Sequence, residues 1–127
     1  MNYLLDTHTV LWFLSNTDKL SKLAYNTICE PSGLNYISIA SAWEVAVKVS
    51  CDKLQLEGGV SGYLRAADAN SFKLMPIKEA YLKHIETLPF YHRDPFDRML
   101  IATAISEDLC LITADKNIHQ YDVPWLW

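Results

Sequence analysis

Apolar and polar positions alternate along the chain in a pattern that predicts short strands separated by helices. Consecutive apolar or aromatic residues from Tyr3 to Leu5 indicate a buried strand, whereas Ala42, Val45 and Val49 recur at the spacing of one helix face. The predicted strands span residues 3–5, 35–38, 72–75, 110–113 and about 122–125. The predicted helices span residues 10–14, 18–29, 41–50, 60–69, 77–88 and 95–107, with a short helix near Lys116.

The alternation of strands and helices predicts the fold class. Right-handed βαβ crossovers make the strands parallel and cover both faces of the sheet with helices, which is an α/β/α arrangement. We place one helix start at Asp18, a favoured N-cap residue, and another at Pro95, which follows Asp94. The chain of 127 residues shows no repeat or linker composition. Residues 1–127 are therefore expected to form a single domain around one core.

Composition excludes several classes of protein. The chain is 50% apolar, which argues against intrinsic disorder. No apolar run reaches the roughly 18 residues of a membrane span, and Asp6 interrupts the start, where a signal peptide is continuously apolar. A soluble cytoplasmic protein with no membrane partner is expected. The cysteines Cys29, Cys51 and Cys110 have no companion at metal-ligand spacing, so we expect reduced, mostly buried thiols.

The net charge of the chain bears on nucleic-acid binding. Its value of −4 disfavours a protein that coats nucleic acid with a basic face. A cluster of carboxylates can nevertheless hold divalent cations, and these cations can engage phosphate groups. The positions of the acidic residues therefore matter more than their number.

Two acidic residues follow predicted strands. Asp6 ends the first strand, and Asp115 stands two residues after the strand that closes at Thr113. In parallel α/β sheets, ligands bind beyond the carboxyl ends of the strands. The alternative is that each aspartate only caps the helix after it. The sequence leaves both roles open.

Three further acids lie in or beside predicted helices. Glu44 stands in a strongly apolar helix, where a charge that faces the sheet is costly. Alternatively, it pairs with Lys48 one turn later on a solvated face. Asp94 before Pro95 fits an N-cap followed by proline, and Asp97 falls one turn into the same helix. Asp97 either favours the helix dipole or points towards the protein with the apolar residues that follow it.

Together these positions predict a metal site. Acids that meet at one sheet edge repel each other, and a cation offsets that repulsion. Oxygen ligands without histidine or cysteine select a hard ion such as Mg²⁺ or Mn²⁺. Such a site suits phosphodiester hydrolysis, with Asp97 or Asp115 as candidates for orienting the attacking water.

Four segments distributed over nearly the whole chain form a recognisable set. They are LLDTH at residues 4–8, SAWEVAVK at 41–48, HRDPFDRMLIA at 92–102 and LITAD at 111–115. In this order they resemble the PIN-domain ribonucleases, in particular the VapC-type toxins of bacterial toxin–antitoxin pairs. The resemblance implies a parallel α/β/α sandwich, Mg²⁺- or Mn²⁺-dependent endonuclease activity on RNA, and a cognate antitoxin. Homodimers are common in the resembled family, so a homodimer is also expected.

The resemblance also implies a set of site residues. The acidic quartet of the family falls on Asp6, Glu44, Asp97 and Asp115. Asp94 is the alternative for the third acid. Members of the family often use a small hydroxyl residue beside the metal, for which the candidates are Thr7, Ser38 and Thr113. The alternative for each hydroxyl is an ordinary hydrogen bond that closes a strand end or a turn.

Basic residues and histidines flank these acids. The basic residues are Lys48, Arg93, Arg98 and Lys116. They either contact the RNA backbone, which positions RNA without reading its sequence, or form ion pairs with the acids. His8 and His92 are candidates for ligands or general acids. A hydrogen-bonded loop histidine is the favoured interpretation of both.

Aromatic residues are candidates for partner surfaces. Residues 121–127, with Trp12 and Phe13, predict either a dimer face, an antitoxin groove or simple covering of the sheet. The helices near residues 10–14 and 20–28 are the first place to expect a partner helix in a groove.

Two other functions compete with the nuclease. A phosphoacceptor signalling receiver has a similar size and fold, but it needs paired acids near the end of the first strand and a lysine after a late strand. This chain offers Asp6 alone and then Asp115 in place of that lysine. A catalytically silent PIN-like binding module would be indicated by a missing acid, and all four acids are present.

Overall fold

Five strands and seven helices alternate along the chain in the computed structural model, which describes residues 1–127. The strands are β1 (Asn2–Leu5), β2 (Leu34–Ser38), β3 (Lys73–Met75), β4 (Cys110–Ile112) and β5 (Trp125–Leu126). The helices are α1 (Thr7–Leu14), α2 (Lys22–Cys29), α3 (Ile39–Ser50), α4 (Gly59–Ala69), α5 (Glu79–Thr87), α6 (Pro95–Glu107) and α7 (Lys116–His119).

All five strands form one parallel sheet in the order β3-β2-β1-β4-β5. The order reverses at β1, and such switch points are where α/β sheets bind ligands. Leu5 of β1 is in register with Ile112 of β4, and the Asp6 N–H donates to the Ile112 carbonyl at 3.1 Å. Asp6 and Thr113 therefore leave the sheet side by side.

Both faces of the sheet are buried, as the alternation of strand residues shows. Leu5 packs on the same side as Val10 of α1, in the larger apolar cluster. Its neighbour Leu4 faces the other way, towards Leu100 of α6 and Ile118 of α7. Because successive strand residues point to opposite faces, the helices form one layer on each side. The predicted α/β/α fold with a parallel sheet is confirmed.

The sheet order bears on the alternative of a signalling receiver. Receivers place the first strand between the second and the third. Here β1 lies between β2 and β4. The topology excludes the receiver.

Several element boundaries differ from those predicted. The first helix begins at Thr7 and not near residue 10, because Asp6 is its N-cap. The second helix begins at Lys22, and the N-cap is Ser21, whose Oγ accepts the Ala24 N–H at 3.0 Å. The prediction of a helix start at Asp18 was therefore wrong. The last strand also starts later than expected.

The exposure of the cysteines and the character of the helices test two further expectations. Cys29 and Cys51 are exposed at the ends of helices, and only Cys110 is buried, so the expectation of mostly buried thiols was wrong. None of the helices has the combination of length and apolar character that a bilayer crossing requires.

Candidate active site

The ends of β1 and β4 are joined through two short polar side chains. The carboxylate of Asp6 is buried; its Oδ1 accepts the Thr7 N–H and its Oδ2 accepts the Thr113 hydroxyl, both at 2.7 Å. The Thr113 Oγ1 in turn accepts the Asp115 N–H at 3.1 Å. Thr113 thus fixes the two strand-end aspartates relative to each other.

Asp115 caps a helix and also lies at the sheet edge where ligands are expected. Its Oδ1 accepts the Asn117 N–H at 2.9 Å, which caps α7. It also lines, with Asp6, His8 and Trp12, a cavity of about 250 Å³ beyond the sheet edge. Asp115 therefore both caps α7 and faces the cavity.

Glu44 reaches the same region from α3. Its side chain is buried, its Oε1 accepts the Thr7 hydroxyl at 2.7 Å, and its Oε2 lies 2.7 Å from the Lys48 Nζ. Both alternatives for Glu44 hold in part: the pair with Lys48 is present, but it does not lie on a solvated face, because Glu44 is only 5% exposed. Thr7, the first residue of α1, links this glutamate to the end of β1.

Lys48 is the basic residue that balances Glu44. Burial by itself lowers the pKa of Lys48, but the hydrogen bond and charge of Glu44, with the charges of Asp94 and Asp97, raise that pKa overall. The ammonium group therefore stays protonated at neutral pH, and it offsets part of the negative charge.

Asp94 and Asp97 have different surroundings at the start of α6. The Asp94 Oδ1 accepts the N–H groups of Phe96 at 2.9 Å and Asp97 at 3.1 Å, which confirms the predicted N-cap. Asp97 is buried, and its Oδ2 lies 3.0 Å from the Nε2 of His92. Of the two, Asp97 is the one whose carboxylate is withdrawn from solvent.

The four acids of the predicted quartet interact electrostatically. Burial raises the pKa of Asp97 to about 9, and the charges of Asp6, Asp94, Asp115 and Glu44 add to this effect. Burial likewise raises the pKa of Asp6, to which the charge of Glu44 also contributes. Thr7 links Asp6 to Glu44 and Thr113 links Asp6 to Asp115 by hydrogen bonds, and the charges of all three acids act on Asp97, so the quartet lies in one region at the carboxyl edge of the sheet.

The carboxylate and hydroxyl oxygens in this region are donors that a hard cation prefers, and the His8 side chain also lines the cavity beside Asp6. In the arrangement of the structure, no three histidine, cysteine, aspartate or glutamate side chains are grouped to hold a metal ion. The raised pKa of Asp97 reflects burial and uncompensated negative charge, both of which a divalent cation would offset. The residues fit Mg²⁺ or Mn²⁺, and the assignment of ligands stays a prediction.

The three candidate hydroxyls divide into two groups. Thr7 and Thr113 donate directly to Glu44 and Asp6. The Ser38 hydroxyl instead accepts the Ala40 N–H at 3.0 Å and caps α3. Ser38 therefore has the ordinary structural role that was weighed for all three.

Arg98 has a role that the sequence did not predict. Its side chain is 4% exposed and donates to the Leu88 carbonyl at 3.3 Å and the Pro89 carbonyl at 2.8 Å. It also donates to the Tyr121 hydroxyl at 3.1 Å. The expectations of an RNA contact or an ion pair were wrong for this residue. No local pattern signals such contacts, because they depend on tertiary packing.

The comparison with family models decides the family. The model of the PIN domain matches residues 3–124. The chain belongs to the PIN domain family. The resemblance carried by the four sequence segments is thereby confirmed.

Known relatives of this PIN domain agree in sequence and in fold. It is 28% identical over 122 residues to ribonuclease VapC22 of Mycobacterium tuberculosis, covering 95% of this chain and 92% of the relative. VapBC2 from Rickettsia felis, bound to a DNA fragment from its promoter, superposes with a TM-score of 0.73 at 16% identity, covering 100% and 99% of the two chains. A toxin–antitoxin complex from Klebsiella pneumoniae gives 0.66 at 20% identity, covering 98% and 96%. These structures show the same fold.

Proposed function

We propose that this PIN domain is a Mg²⁺- or Mn²⁺-dependent endoribonuclease that acts as the toxin of a type II toxin–antitoxin pair. The observation that carries the proposal is the meeting of Asp6, Glu44, Asp97 and Asp115 at the switch point of the sheet. The relative named ribonuclease VapC22 and the toxin–antitoxin complex of the same fold support it.

The quartet would hold the cation through its carboxylate oxygens. A divalent ion bound there supplies Lewis-acid activation of water and neutralises charge on the phosphodiester. Thr113 and Thr7 orient Asp6 and Glu44 by hydrogen bonds. Asp97 and Asp115 are the two candidates for orienting the attacking water, because both carboxylates lie at this edge of the sheet.

The RNA backbone would contact basic residues at the rim of the site. Arg93 and Lys116 are exposed. Arg93 precedes Asp94, the N-cap of α6, and Lys116 directly follows Asp115 of the quartet. We assign phosphate contacts to these two residues, because Arg98 is buried and Lys48 is paired with Glu44. Such contacts position RNA without reading its sequence.

Cleavage of RNA by the purified protein tests the enzymatic proposal. The Asp6→Asn variant removes one ligand charge, and we expect at least a roughly 100-fold loss of Mn²⁺-dependent cleavage. The matched control is Asp68→Asn, which changes an exposed acid on α4 and should cleave like wild type. Undiminished cleavage by Asp6→Asn would contradict the assignment.

Two surfaces with exposed apolar side chains are available for the proposed protein partners, one on α2 and one that includes Trp43 and Trp125. Leu23 and Tyr25 are exposed on α2, next to a cavity of about 360 Å³ between α1 and α2. We assign this region to a helix of the cognate antitoxin.

Part of the aromatic C-terminus packs internally, since Tyr121 is buried and Trp127 contacts Trp12 with ring centroids 5.7 Å apart.

Two further exposed aromatic residues, Trp43 and Trp125, are assigned to a second copy of the chain. Trp43 is 58% exposed and meets Phe96 edge-on at 5.0 Å, and Trp125 stacks on His119 at 3.4 Å while staying partly exposed. We propose a homodimer that covers such surfaces. Sedimentation of the purified chain tests it, and a monomer at all concentrations would contradict it.

Expression in a bacterial host tests the toxin role. We expect growth arrest when the chain is produced in the cytoplasm alone, and recovery when the cognate antitoxin is co-expressed. The Asp6→Asn variant should not arrest growth. Unimpaired growth with abundant, active wild-type protein would contradict the proposal.

A further inference from the structure

His92 is held at both ring nitrogens. It lies in the loop before α6, with Nε2 3.0 Å from the Asp97 Oδ2 and Nδ1 2.9 Å from the Tyr121 hydroxyl. The side chain is 12% exposed, and the imidazole and phenol rings meet edge-on at 5.5 Å. The ring is therefore fixed in orientation, and neither nitrogen is free to bind a metal directly.

Tyr121 is anchored in turn by Arg98. The guanidinium donates to the Tyr121 hydroxyl at 3.1 Å and lies 4.1 Å from the centroid of the Phe90 ring. Its remaining bonds go to the carbonyls of Leu88 and Pro89. These contacts tie the loop before α6 to the residue that supports His92.

The direction of these hydrogen bonds follows from the donors available. Arginine only donates, so the Tyr121 oxygen accepts from Arg98. The Tyr121 proton has two acceptors within reach, the Nδ1 of His92 at 2.9 Å and the His92 carbonyl oxygen at 3.4 Å, and the shorter contact favours Nδ1. With Nδ1 as acceptor, neutral histidine carries its proton on Nε2, which donates to Asp97. The chain of donors runs from Arg98 through Tyr121 and His92 to the carboxylate.

The ionised Asp97 carboxylate benefits from a hydrogen-bond donor, because three other carboxylates of the quartet repel its negative charge. The negative charges of Asp6, Asp115 and Glu44 all disfavour its ionised form. A hydrogen bond to one oxygen fixes the plane of the carboxylate and leaves the other oxygen directed elsewhere. Partners of this kind commonly orient the carboxylates that bind metal ions.

We propose that His92 is a positioning residue, which holds the Asp97 carboxylate in its ligating orientation through an Nε2–H donor supported by Tyr121 and Arg98. The inference rests on the proposed function, because that function supplies the cation. It goes beyond that function by assigning roles to residues outside the acidic quartet.

Binding of Mn²⁺ alone, measured by calorimetry in the absence of RNA, tests the inference. His92→Asn keeps a group near the Nδ1 position but loses the donor to Asp97, so we expect roughly 10- to 100-fold weaker binding. His92→Gln places an amide near the Nε2 position and should restore affinity to within about threefold of wild type. Tyr121→Phe should weaken binding by a smaller factor, because only the support of His92 is lost.

His84 on α5 provides the matched control. It is half-buried and outside the site, so His84→Asn should bind Mn²⁺ like wild type. Wild-type affinity in His92→Asn, or equal losses in His92→Asn and His92→Gln, would overturn the inference. If wild type cleaves RNA and His92→Asn binds Mn²⁺ normally, only the inference fails. If wild type binds Mn²⁺ in a His92-dependent way but cleaves no RNA, only the proposed function fails.

The position of the His92 proton gives a second readout that a merely structural role would not move. Long-range ¹H–¹⁵N spectra of the Mg²⁺-loaded protein should show a proton on Nε2 of His92. Tyr121→Phe should change the Nδ1 shift, because Nδ1 loses its donor. An Nε2 without a proton in the wild-type spectrum would overturn the inference.

Discussion

At the scale of single residues, the site depends on short side chains that hold carboxylates in place. The Thr113 hydroxyl bridges Asp6 and the Asp115 backbone, and the Thr7 hydroxyl reaches Glu44. These bonds stabilise buried carboxylates, whose desolvation is otherwise costly. The acids at strand ends could be predicted from sequence, because a strand end is a local feature. The role of Arg98 could not, because it depends on contacts with Tyr121.

Replacing Thr113 with valine tests this support. Valine keeps the shape of the buried threonine but removes the donor to Asp6, so we expect a roughly 10- to 100-fold loss of metal affinity or cleavage. Thr103→Val is the matched control, because the Thr103 hydroxyl bonds only the Met99 carbonyl within α6. Calorimetry with Mn²⁺ measures both variants. Equal effects in the two would contradict a specific role for Thr113.

The raised pKa of Asp97 predicts how stability depends on pH. The unfolded chain ionises this group near its ordinary value of 3.8, whereas burial and neighbouring charges keep it protonated to about 9 in the folded protein. The folded state therefore binds the extra proton between these values, and stability falls as pH rises through that window. Urea titrations of the metal-free protein should show this fall, and Asp97→Asn should reduce it. An unchanged slope in Asp97→Asn would contradict the assignment.

At the scale of secondary structure elements, helix starts place the acids. Asp6, Asp94 and Asp115 are the N-caps of α1, α6 and α7. Asp6 and Asp115 each cap a helix and also line the cavity at the sheet edge, so the capping role does not exclude a role in the proposed metal site. Long elements were predicted closely, as for α6, because their apolar period extends over several turns. The start of α2 was not predicted correctly, because Ser21 and Asp18 are both favoured N-cap residues. Only the folded loop shows that Ser21 accepts the Ala24 N–H and is the N-cap.

The start of α6 gives a prediction that separates a cap from a ligand. Asp94 accepts two backbone N–H groups, and Asn is about as good a cap, so Asp94→Asn should leave metal affinity within a few-fold of wild type. Asp97→Asn should lower that affinity at least about tenfold. Asp94→Ala should in addition cost about 1 kcal/mol of unfolding free energy. A larger loss of affinity in Asp94→Asn than in Asp97→Asn would make Asp94 the third acid.

At the scale of the whole molecule, topology brings together residues far apart in sequence. With β1 beside β4, Asp6 lies next to Thr113, and α3 and α6 add Glu44 and Asp97. The parallel α/β/α class could be predicted, because the pattern of apolar residues along the chain shows that strands and helices alternate. The strand order could not, because no local pattern states which strands are neighbours, and it is this order that excludes the receiver fold.

A cation bound at this point should stabilise the entire fold. A ligand that binds only the folded state adds about 2.7 kcal/mol when its concentration is 100 times its dissociation constant. The melting temperature of the wild-type protein should therefore rise by several degrees with Mn²⁺ and fall again with a chelator. Asp6→Asn should show little rise. A rise of equal size in Asp6→Asn would place the stabilising cation elsewhere.

The central claim, that four distant carboxylates share one divalent cation, is tested most directly by anomalous diffraction from crystals grown with Mn²⁺. We predict a manganese peak beyond the carboxyl ends of β1 and β4, with oxygens of the quartet within about 2.2 Å of the ion. The quartet consists of Asp6, Glu44, Asp97 and Asp115. A structure at saturating Mn²⁺ in which these carboxylates bind no ion, or in which the manganese lies at another surface, would contradict the account.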